Sequence, residues 1–513
     1  MFESYFYDKR ALTSNRLFKA LKTESGPDFT INRLSKKMGM SYQQTYNAFQ
    51  DIMHDLEVIG QKPQADMTES DFAKMAKDIT TDQYRFYLLR QSVAFLFYCA
   101  IFQDNQIDAR KFCEQHNISI STLRRRVEPF RNYLLSVRVN LNTSTWQLEG
   151  AELQIRAAMV AFFQISYRGN GWPFEHFPQT YVQHELELIN DFGEQFVFVP
   201  QPAIQKPDLL QLAIQLMRMT QGNVLTPQPR MQLLVHEKAQ DLHPLIYTRT
   251  NFPALSSTAL VAERDYFYFN QMRKFSVADH LTHDDDLIRA CLNQTDNIVK
   301  RFADGMLPRL YETIQKPTAA DLERARVLHT NLLRLGFTFY LHDGICSSQL
   351  DFVAKNQLQT ADSLLGQIVD AYLQDLPTDA PESVFTSYAP MINLQVYYLA
   401  AIDFAEISYN ATLKVQVAVE SATFLARDLI IFLRDVNFIE IVSDSFPTPD
   451  VIVTSFGDLS RVGKLINHPI DDEVTVLYWT AEATDQQFFE LYTQLKQLHT
   501  QQQLKALPVA KEA

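Results

Sequence analysis

Apolar residues recur at helical spacing over most of the chain, and the first clear example lies in residues 30–57. This stretch, TINRLSKKMGMSYQQTYNAFQDIMHDLE, contains two short helical patterns on either side of Gly39. Glycine suits the turn between two helices, and Ser41 is a natural N-cap for the second helix. The spacing predicts two buried stripes, formed by Ile31, Leu34 and Met38 and by Tyr42, Tyr46, Phe49, Met53 and Leu56.

Polar side chains precede and interrupt the second stripe. Gln43, Gln44, Thr45 and Asn47 are predicted to lie at the exposed start of that helix. Amide side chains at the start of a recognition helix can read base edges in the major groove of DNA. The alternative interpretation is a surface helix whose polar residues only keep it solvated.

A second helical unit of the same kind follows. Residues 84–102 are predicted to form one strongly apolar helix, and residues 108–117 a shorter one. Ser119 or Ser121 is the candidate N-cap of a third helix. In that helix Leu123, Val127, Phe130 and Leu134 repeat at intervals of 4, 3 and 4 and predict a buried face. Pro129 should bend the helix or end it early.

The exposed side of this third helix carries four arginines. Three of them, Arg124, Arg125 and Arg126, are consecutive, and Arg131 follows one turn later. On a helical wheel Arg125 and Ser121 lie opposite the apolar face, and the other arginines flank it. Phosphate contacts are therefore predicted for Arg124, Arg126 and Arg131, and base contacts for Ser121, Thr122 and Arg125. A solvated run of charge is the alternative.

Residues 136–150, SVRVNLNTSTWQLEG, change to a period of two. Val137, Val139 and Leu141 alternate, an Asn-Thr-Ser turn follows, and Trp146 and Leu148 alternate back. This pattern predicts a short β-hairpin, the wing of a winged helix-turn-helix, with Trp146 packing inside it. Two helix-turn-helix units in tandem are therefore expected in the first 150 residues.

The rest of the chain consists of a long helical region and a mixed tail. DHLTHDDD (279–286) divides the helical region into similar halves and is expected to be a solvated acidic linker rather than a metal site built on His280 and His283. After residue 409, strand-like and helical patterns alternate, which predicts a small parallel α/β sheet. The predicted strands are 413–420, 438–442, 449–456 and 473–479, and the predicted helices are 421–435 and 483–505.

Charge is distributed unevenly along the 513 residues. Residues 1–150 hold 20 Lys+Arg and 17 Asp+Glu, a net of +3, whereas the remainder holds 27 and 43, a net of −16. A basic front end on an acidic body favours a partner that is a polyanion. The four cysteines have no metal or redox spacing, which indicates buried thiols in a reducing compartment. With no secretory pattern and a longest apolar run of 93–102, a cytoplasmic protein without a membrane span is expected.

The order of these elements resembles the Mga/AtxA group of transcription regulators of Gram-positive bacteria. The resemblance is carried by the helix at 119–134, the wing, and the run LEGAELQIRAAMVAFFQISY (148–167). It implies a mainly α multidomain fold with two helical PRD-like domains and a small C-terminal α/β domain similar to a phosphotransferase IIB unit. The implied domains are 1–65 and 66–158 (first and second helix-turn-helix), 159–285 and 286–408 (PRD-like), and 409–513 (IIB-like).

In this family the PRD-like domains are similar to domains phosphorylated on histidine by phosphocarrier proteins of the sugar phosphotransferase system. Here QLAIQLMR (211–218) and ERDYFYFN (263–270) place Gln211 and Asn270 where those histidines would be. In the second domain DLERARVLHTNLLRLGF (321–337) makes His329 the phosphorylation candidate, with a packed histidine as the alternative. The substitutes in the first domain are His176, His184, His236 and His243.

The tail resembles a IIB domain that has lost its phosphoryl-accepting cysteine, because Glu420 and Ser421 follow the first strand. In the family such a tail serves dimer assembly. We therefore expect a non-enzymatic, DNA-binding transcription regulator without cofactor or metal. Its expected partners are double-stranded DNA, a second copy bound through the C-terminal domain, and phosphocarrier proteins. The alternatives are an RNA-binding antiterminator and a protein-binding scaffold.

Overall fold

The chain divides into two compact units in a computed structural model. The first unit comprises Met1–Ala303, Thr330–Lys355 and Pro377–Met391, and the second comprises Asp304–His329, Asn356–Leu376 and Ile392–Ala513. The described residues are 1–23, 30–60, 78–104, 106–191, 205–233, 246–277, 280–293, 295–311, 319–352, 364–378, 381–407, 412–419, 427–443, 448–457, 462–463, 474–480 and 483–506. This division does not test the five predicted domains, which stay a prediction.

The described residues are mostly helical, as predicted. The α-helices are α1 (Lys9–Thr23), α2 (Ile31–Met38), α3 (Tyr42–Gly60), α4 (Thr81–Gln91), α5 (Val93–Gln103), α6 (Ala109–Gln115), α7 (Ile120–Ser136), α8 (Glu152–Tyr167), α9 (Gln179–Asp191), α10 (Gln205–Thr220), α11 (Ser257–Met272), α12 (His283–Leu292), α13 (Ile298–Tyr311), α14 (Ala319–Leu341), α15 (Leu364–Asp375), α16 (Ala389–Ile407), α17 (Arg427–Asp435) and α18 (Asp485–Ala506). The strands are β1 (Asn140–Asn142), β2 (Gln147–Glu149), β3 (Leu413–Ala418), β4 (Ile439–Ile441), β5 (Val451–Thr454) and β6 (Thr475–Tyr478).

Helices α1, α2 and α3 form the first predicted helix-turn-helix unit. Gly39 ends α2 with a φ of 63°, and Ser41 accepts a hydrogen bond from the backbone of Gln44, as the sequence predicted. The predicted stripe on α3 is confirmed at Leu56, only half-buried at Phe49 and Met53, and wrong at its two tyrosines. Its buried positions are Thr45, Ala48, Ile52 and Leu56, whereas Tyr42 and Tyr46 are exposed. Small side chains at the start of this face allow neighbouring helices to approach closely, which large tyrosines would prevent.

The apolar stretch 84–102 is not one helix, contrary to the prediction. Helices α4 and α5 meet at Ser92 with a bend of 84°. The Ser92 hydroxyl accepts a hydrogen bond from the Phe95 backbone, and it donates one to the Phe6 carbonyl at 2.8 Å. The Ser92 side chain takes the place of a backbone acceptor for the Phe95 N–H. Helix α5 therefore begins at the residue where α4 ends.

Residues 2–7 lie in the core of the second helix-turn-helix unit, which the sequence did not predict. Phe2 and Phe6 are buried among the aromatic residues of α5, α7 and α8. The buried guanidinium of Arg85 pairs with Glu3, and it also donates to the Ser166 carbonyl. Burial would raise the pKa of Glu3, but the charge and hydrogen bond of Arg85 lower it overall. The segment thus ties α4 to α8.

A buried network of four charged side chains joins α8 to α10 and α11. Arg156 makes two hydrogen bonds to the Glu263 carboxylate, at 2.6 and 2.8 Å, and a third to Glu152. Arg218 makes two to Glu152, at 2.8 and 2.6 Å. Because each charge has an opposite partner, the network avoids the large penalty of an unpaired buried ion. Arg218 and Glu263 of this network belong to the runs 211–218 and 263–270. In those runs Gln211 and Asn270 occupy the positions where the family resemblance leads us to expect histidines.

The acidic stretch 279–286 is not a solvated linker over its described part, contrary to the prediction. It contains the start of α12, where Thr282 and Asp285 form a capping box. The Asp285 carboxylate is fully buried, and Arg334 donates a hydrogen bond to it. Burial would raise the pKa of Asp285, but hydrogen bonds from Thr282 and Arg334 lower it overall. Within the described residues, no group of three or more His, Cys, Asp or Glu side chains could hold a metal ion.

The second unit contains the predicted parallel sheet. Its described strands are ordered β4-β3-β5-β6, and all three pairings are parallel. Leu413 and Val415 of β3 pack with α17 and α18 through Leu429, Leu433 and Leu491. The prediction of a small parallel α/β tail is therefore confirmed. The positions of Glu420 and Ser421 lie outside the described residues.

Three of the four cysteines are buried, as predicted, and Cys291 is half-buried. Burial raises the pKa of the Cys346 thiol to about 11, and it also raises the pKa of Cys99 and Cys113. These thiols are therefore protonated and weakly nucleophilic at neutral pH. Among the described helices, none is by itself long and apolar enough to cross a membrane.

The buried charge network generates a stability prediction. Glu263→Gln keeps the shape of the side chain but removes one of the two carboxylates, so that Glu152 alone faces the buried charges of Arg156 and Arg218. We expect the free energy of unfolding to fall by about 3–5 kcal/mol, measured by urea denaturation. The control is Asp51→Asn, which removes the surface partner of Arg10 and should cost about 0–1 kcal/mol. Equal stability of the two variants would contradict the role given to the network.

Candidate nucleic-acid interface

The third helix of the second helix-turn-helix unit, α7, begins at a serine cap. The Ser119 hydroxyl accepts a hydrogen bond from the Thr122 backbone at 3.1 Å, so Ser119 rather than Ser121 is the N-cap. The same hydroxyl contacts the hydroxyl groups of Ser121 and Thr122 at 2.8 and 2.9 Å. Ser121 is exposed and Thr122 is half-buried. The first turn therefore presents hydroxyl groups and backbone N–H groups together.

The predicted buried face of α7 is confirmed, because Leu123, Val127, Phe130 and Leu134 are all fully buried. Pro129 lies inside the helix, yet the helix continues to Ser136. Its expected early end is therefore wrong. Pro129 is exposed, so the carbonyl that its missing N–H leaves without an intrahelical partner can be hydrated. After the proline, Phe130, Tyr133 and Leu134 are buried and hold the rest of the helix in place.

Three of the four arginines on α7 are open to solvent. Arg124, Arg125 and Arg126 are exposed; Arg125 lies opposite the buried face, and Arg124 and Arg126 lie on its two flanks. Arg124 also donates a hydrogen bond to the Thr143 carbonyl in the hairpin turn at 3.3 Å. This contact places one cation between the helix and the wing, while the two following arginines project from the helix surface.

Arg131 is half-buried, whereas the sequence predicted it to be exposed. Its guanidinium donates to the Leu141 carbonyl at 2.9 Å, to the side chain of Asn140 and to the carboxylate of Glu128. These groups fix the last turns of α7 to strand β1. The arginine that was predicted to contact phosphate therefore connects the helix to the wing.

The predicted wing is confirmed as an antiparallel hairpin of β1 and β2, with Leu141 opposite Leu148. The Asn142 side chain accepts hydrogen bonds from two backbone N–H groups of the turn, and it donates one to Glu149. Hydrogen bonds from Asn142 and Asn140 lower the pKa of Glu149. Trp146 is buried, and its ring lies edge-on to Phe97 with centroids 5.1 Å apart. Trp146 is thus a packing residue, as predicted.

Aromatic side chains from distant parts of the chain cover the rear of α7. The ring of Tyr133 lies 4.6 Å from that of Phe352, and Phe130 lies 5.1 Å from Phe6. The Tyr133 hydroxyl contacts Ser347, and it donates a hydrogen bond to Asp351 at 2.8 Å. The segment 342–352 therefore holds the same helix that carries the exposed arginines.

A second contact joins segment 342–352 to Arg138, two residues after the end of α7. Arg138 has a φ of 62° and donates to the Asp343 carboxylate at 2.9 Å. Arg230 donates to the other oxygen of that carboxylate at 2.8 Å. Burial would raise the pKa of Asp343, but these two arginines lower it overall. Asp343 thus joins the end of α7 to the helical region.

In the first helix-turn-helix unit, the three predicted contact residues on α3 are exposed. The Gln43 amide donates to Asn47 at 2.9 Å, one turn further along. The Gln44 side chain accepts a hydrogen bond from the Ser41 backbone, so it completes the cap. Gln43 and Asn47 therefore lie together on the helix surface, whereas Gln44 also has a structural contact.

His329 lies in the second compact unit, where it is mostly buried. Its Nε2 is 2.7 Å from a carboxylate oxygen of Asp304, and 7% of the residue is exposed. Arg326, three residues before it, is paired with Glu323. His176 and His184 are exposed, while His236 and His243 lie outside the described residues. The ring of His329 thus has the Asp304 carboxylate beside it.

Comparison with known families identifies the second helix-turn-helix unit. Residues 77–163 match the family model described as the Mga helix-turn-helix domain. The second helix-turn-helix unit is therefore similar to the Mga helix-turn-helix domain. This match supports a Mga-type regulator and indicates a DNA-binding transcription regulator. No curated protein matches the chain. The Mga domain holds the capped helix α7, the exposed arginines and the wing.

The contacts of Arg131 generate a prediction about the wing of the Mga domain. Arg131→Ala should lower the free energy of unfolding by about 1–3 kcal/mol, because it leaves hydrogen-bond acceptors of the hairpin without their donor. Arg126→Ala is the matched control, since Arg126 is exposed on the same helix and should change stability by less than about 0.5 kcal/mol. Urea denaturation followed by tryptophan fluorescence measures both. If the two variants unfold alike, Arg131 does not hold the wing.

Proposed function

We propose that this protein regulates transcription by binding double-stranded DNA through α7 and the wing of its Mga domain. The proposal is carried by the three consecutive exposed arginines on a helix whose opposite face is fully buried. A helix held in this way can present its cations to the major groove without changing its own packing. Phosphate contacts are assigned to Arg124 and Arg126, and base contacts to Ser121, Thr122 and Arg125.

The first helix-turn-helix unit is proposed to bind the same duplex. Gln43 and Asn47 are exposed near the start of α3, where a recognition helix contacts base edges. Gln44 contributes less than predicted, because its side-chain oxygen accepts the Ser41 N–H. Arg131 is likewise proposed to act through the position of the wing, since its donors already have acceptors in the hairpin.

Regulation is proposed to reach α7 through segment 342–352. This segment contacts Tyr133 of the helix through Asp351. It also contacts Arg138, beyond the end of the helix, through Asp343. A change in the helical region that moves the segment would therefore move the DNA-binding helix. The two contacts support the expectation that the PRD-like region modulates DNA binding.

Self-association is proposed for the second unit. In the described sheet, β6 is an edge strand with free backbone on one side, and Tyr478 at its end is exposed. An open edge can pair with a strand of another copy. This feature supports the expected homodimer through the C-terminal domain, and a non-enzymatic role remains part of the proposal.

The DNA-binding function is tested by a salt-titrated mobility shift on promoter-length duplex DNA. Arg124→Ala/Arg125→Ala/Arg126→Ala should lose most of the affinity. The slope of log K against log salt should fall by about two to three, because each lost phosphate contact removes about one unit.

The matched control removes three exposed cations of the second unit, in the variant Arg427→Ala/Arg434→Ala/Lys496→Ala. It has the same change of net charge and should keep the affinity and slope of the wild type. Equal losses in both triple variants would show that binding depends on overall charge rather than on α7. Wild-type protein that binds no duplex would refute the function.

His329 generates a prediction about phosphorylation. Its burial and the neighbouring Asp304 carboxylate disfavour attachment of an anionic phosphoryl group. We expect no phosphate on His329 after incubation with a phosphorylated phosphocarrier protein, and we expect His329→Ala to lower stability by about 1–3 kcal/mol. His176→Ala, at an exposed histidine, is the control. Phosphate that appears in the wild type and in His176→Ala, but not in His329→Ala, would establish His329 as an acceptor.

A further inference from the structure

Two tyrosines are exposed on the first turns of α3. The exposed fraction is 56% for Tyr42 and 40% for Tyr46, and their rings lie nearly parallel with centroids 6.4 Å apart. They are four residues apart and therefore lie on the same side of the helix. Adjacent exposed aromatic rings are typical of a surface that binds a partner, because their hydration is unfavourable.

The surroundings of the tyrosine pair indicate what that partner is. Residues 30–50 contain Arg33, Lys36 and Lys37, all exposed, and no aspartate or glutamate. The first acid after them, Asp51, is paired with Arg10. The N-terminus of α3 adds the positive end of a helix dipole. A region with cations and no carboxylate complements a polyanion rather than an ordinary protein surface.

The exposed groups beside the pair suit the major groove of duplex DNA. Gln43 and Asn47 are exposed between and after the tyrosines, and such amides pair with adenine. An apolar ring face next to them would contact the C5-methyl group of thymine, which projects into the same groove. Residues four apart on a helix are separated by about 6 Å along its axis, close to the rise of two base pairs.

We propose that Tyr42 and Tyr46 form a thymine-methyl contact surface, through which the first helix-turn-helix unit prefers A·T base pairs. This inference rests on the proposed DNA-binding function and adds the class of base pair that the first unit selects. The Mga domain supplies arginines and phosphate contacts, whereas the first unit supplies amides and aromatic rings.

The test compares binding to two duplexes that differ in the methyl group. The probes are an A·T-rich duplex of about 40 base pairs, long enough for two helix-turn-helix units, and the same duplex with deoxyuridine in place of every thymidine. Fluorescence anisotropy measures the affinity of the full chain for each. The wild type should bind the thymidine duplex more tightly, by about fourfold for one buried methyl group and about 15-fold for two.

Tyr42→Ala/Tyr46→Ala should bind both duplexes with the same affinity. The matched control is Tyr181→Ala/Tyr398→Ala, which removes two exposed tyrosines outside both proposed interfaces and should keep the wild-type difference. Deoxyuridine also changes the stiffness of the duplex. The decisive measurement is therefore the thymidine preference of Tyr42→Ala/Tyr46→Ala compared with that of the control variant. A preference for thymidine that Tyr42→Ala/Tyr46→Ala retains would overturn the inference.

The remaining outcomes separate this inference from the proposed function. If the wild type binds both duplexes equally with a steep salt dependence, DNA binding stands and the thymine surface is refuted. If it binds neither duplex, both are refuted. If Tyr42→Ala/Tyr46→Ala binds both duplexes like the wild type but loses self-association in sedimentation, the tyrosines contact a second copy of the chain, and the inference is wrong.

Discussion

The burial of one face of α7 is the constraint on which the DNA-binding half of this protein depends. Leu123, Val127 and Phe130 are fully buried, and this burial leaves the arginines between them on the outer side. Apolar contact fixes the helix firmly, because protein interiors are closely packed and tolerate little displacement. Stability and binding are therefore assigned to opposite sides of the same helix.

Polar contacts then fix what apolar packing leaves adjustable. Packing alone does not set the angle of the wing, whereas the hydrogen bonds from Arg131 to Leu141 and Asn140 do. In the same way, bidentate contacts of Arg156 and Arg218 fix α8 relative to two other helices. Such networks favour one arrangement because hydrogen bonds have narrow geometric requirements.

The sequence predicts local features of this protein well and distant ones poorly. The stripe on α7 was correct because large apolar residues repeat without interruption, and the wing was correct because a period of two flanks a clear turn. On α3 the large tyrosines suggested a stripe, but helix packing selected Thr45 and Ala48 for their small size. The contact of Arg131 with the wing could not be foreseen, because an exposed arginine and one bound to a hairpin occupy similar helix positions. No periodicity in the sequence reveals that residues 2–7 enter the core of the second helix-turn-helix unit.

The position of Phe352 has a consequence for synthesis on the ribosome. This residue packs on Tyr133 and Phe130, which precede it by more than 200 residues. Helix α7 and its wing leave the ribosome long before Phe352 is made, so the rear of the helix stays partly uncovered during that interval. Contacts between residues so far apart form late, and exposed apolar surface favours aggregation or binding by chaperones. The packing of α7 is therefore completed only after much of the helical region exists, which ties the final packing of this helix to nearly complete synthesis of the chain.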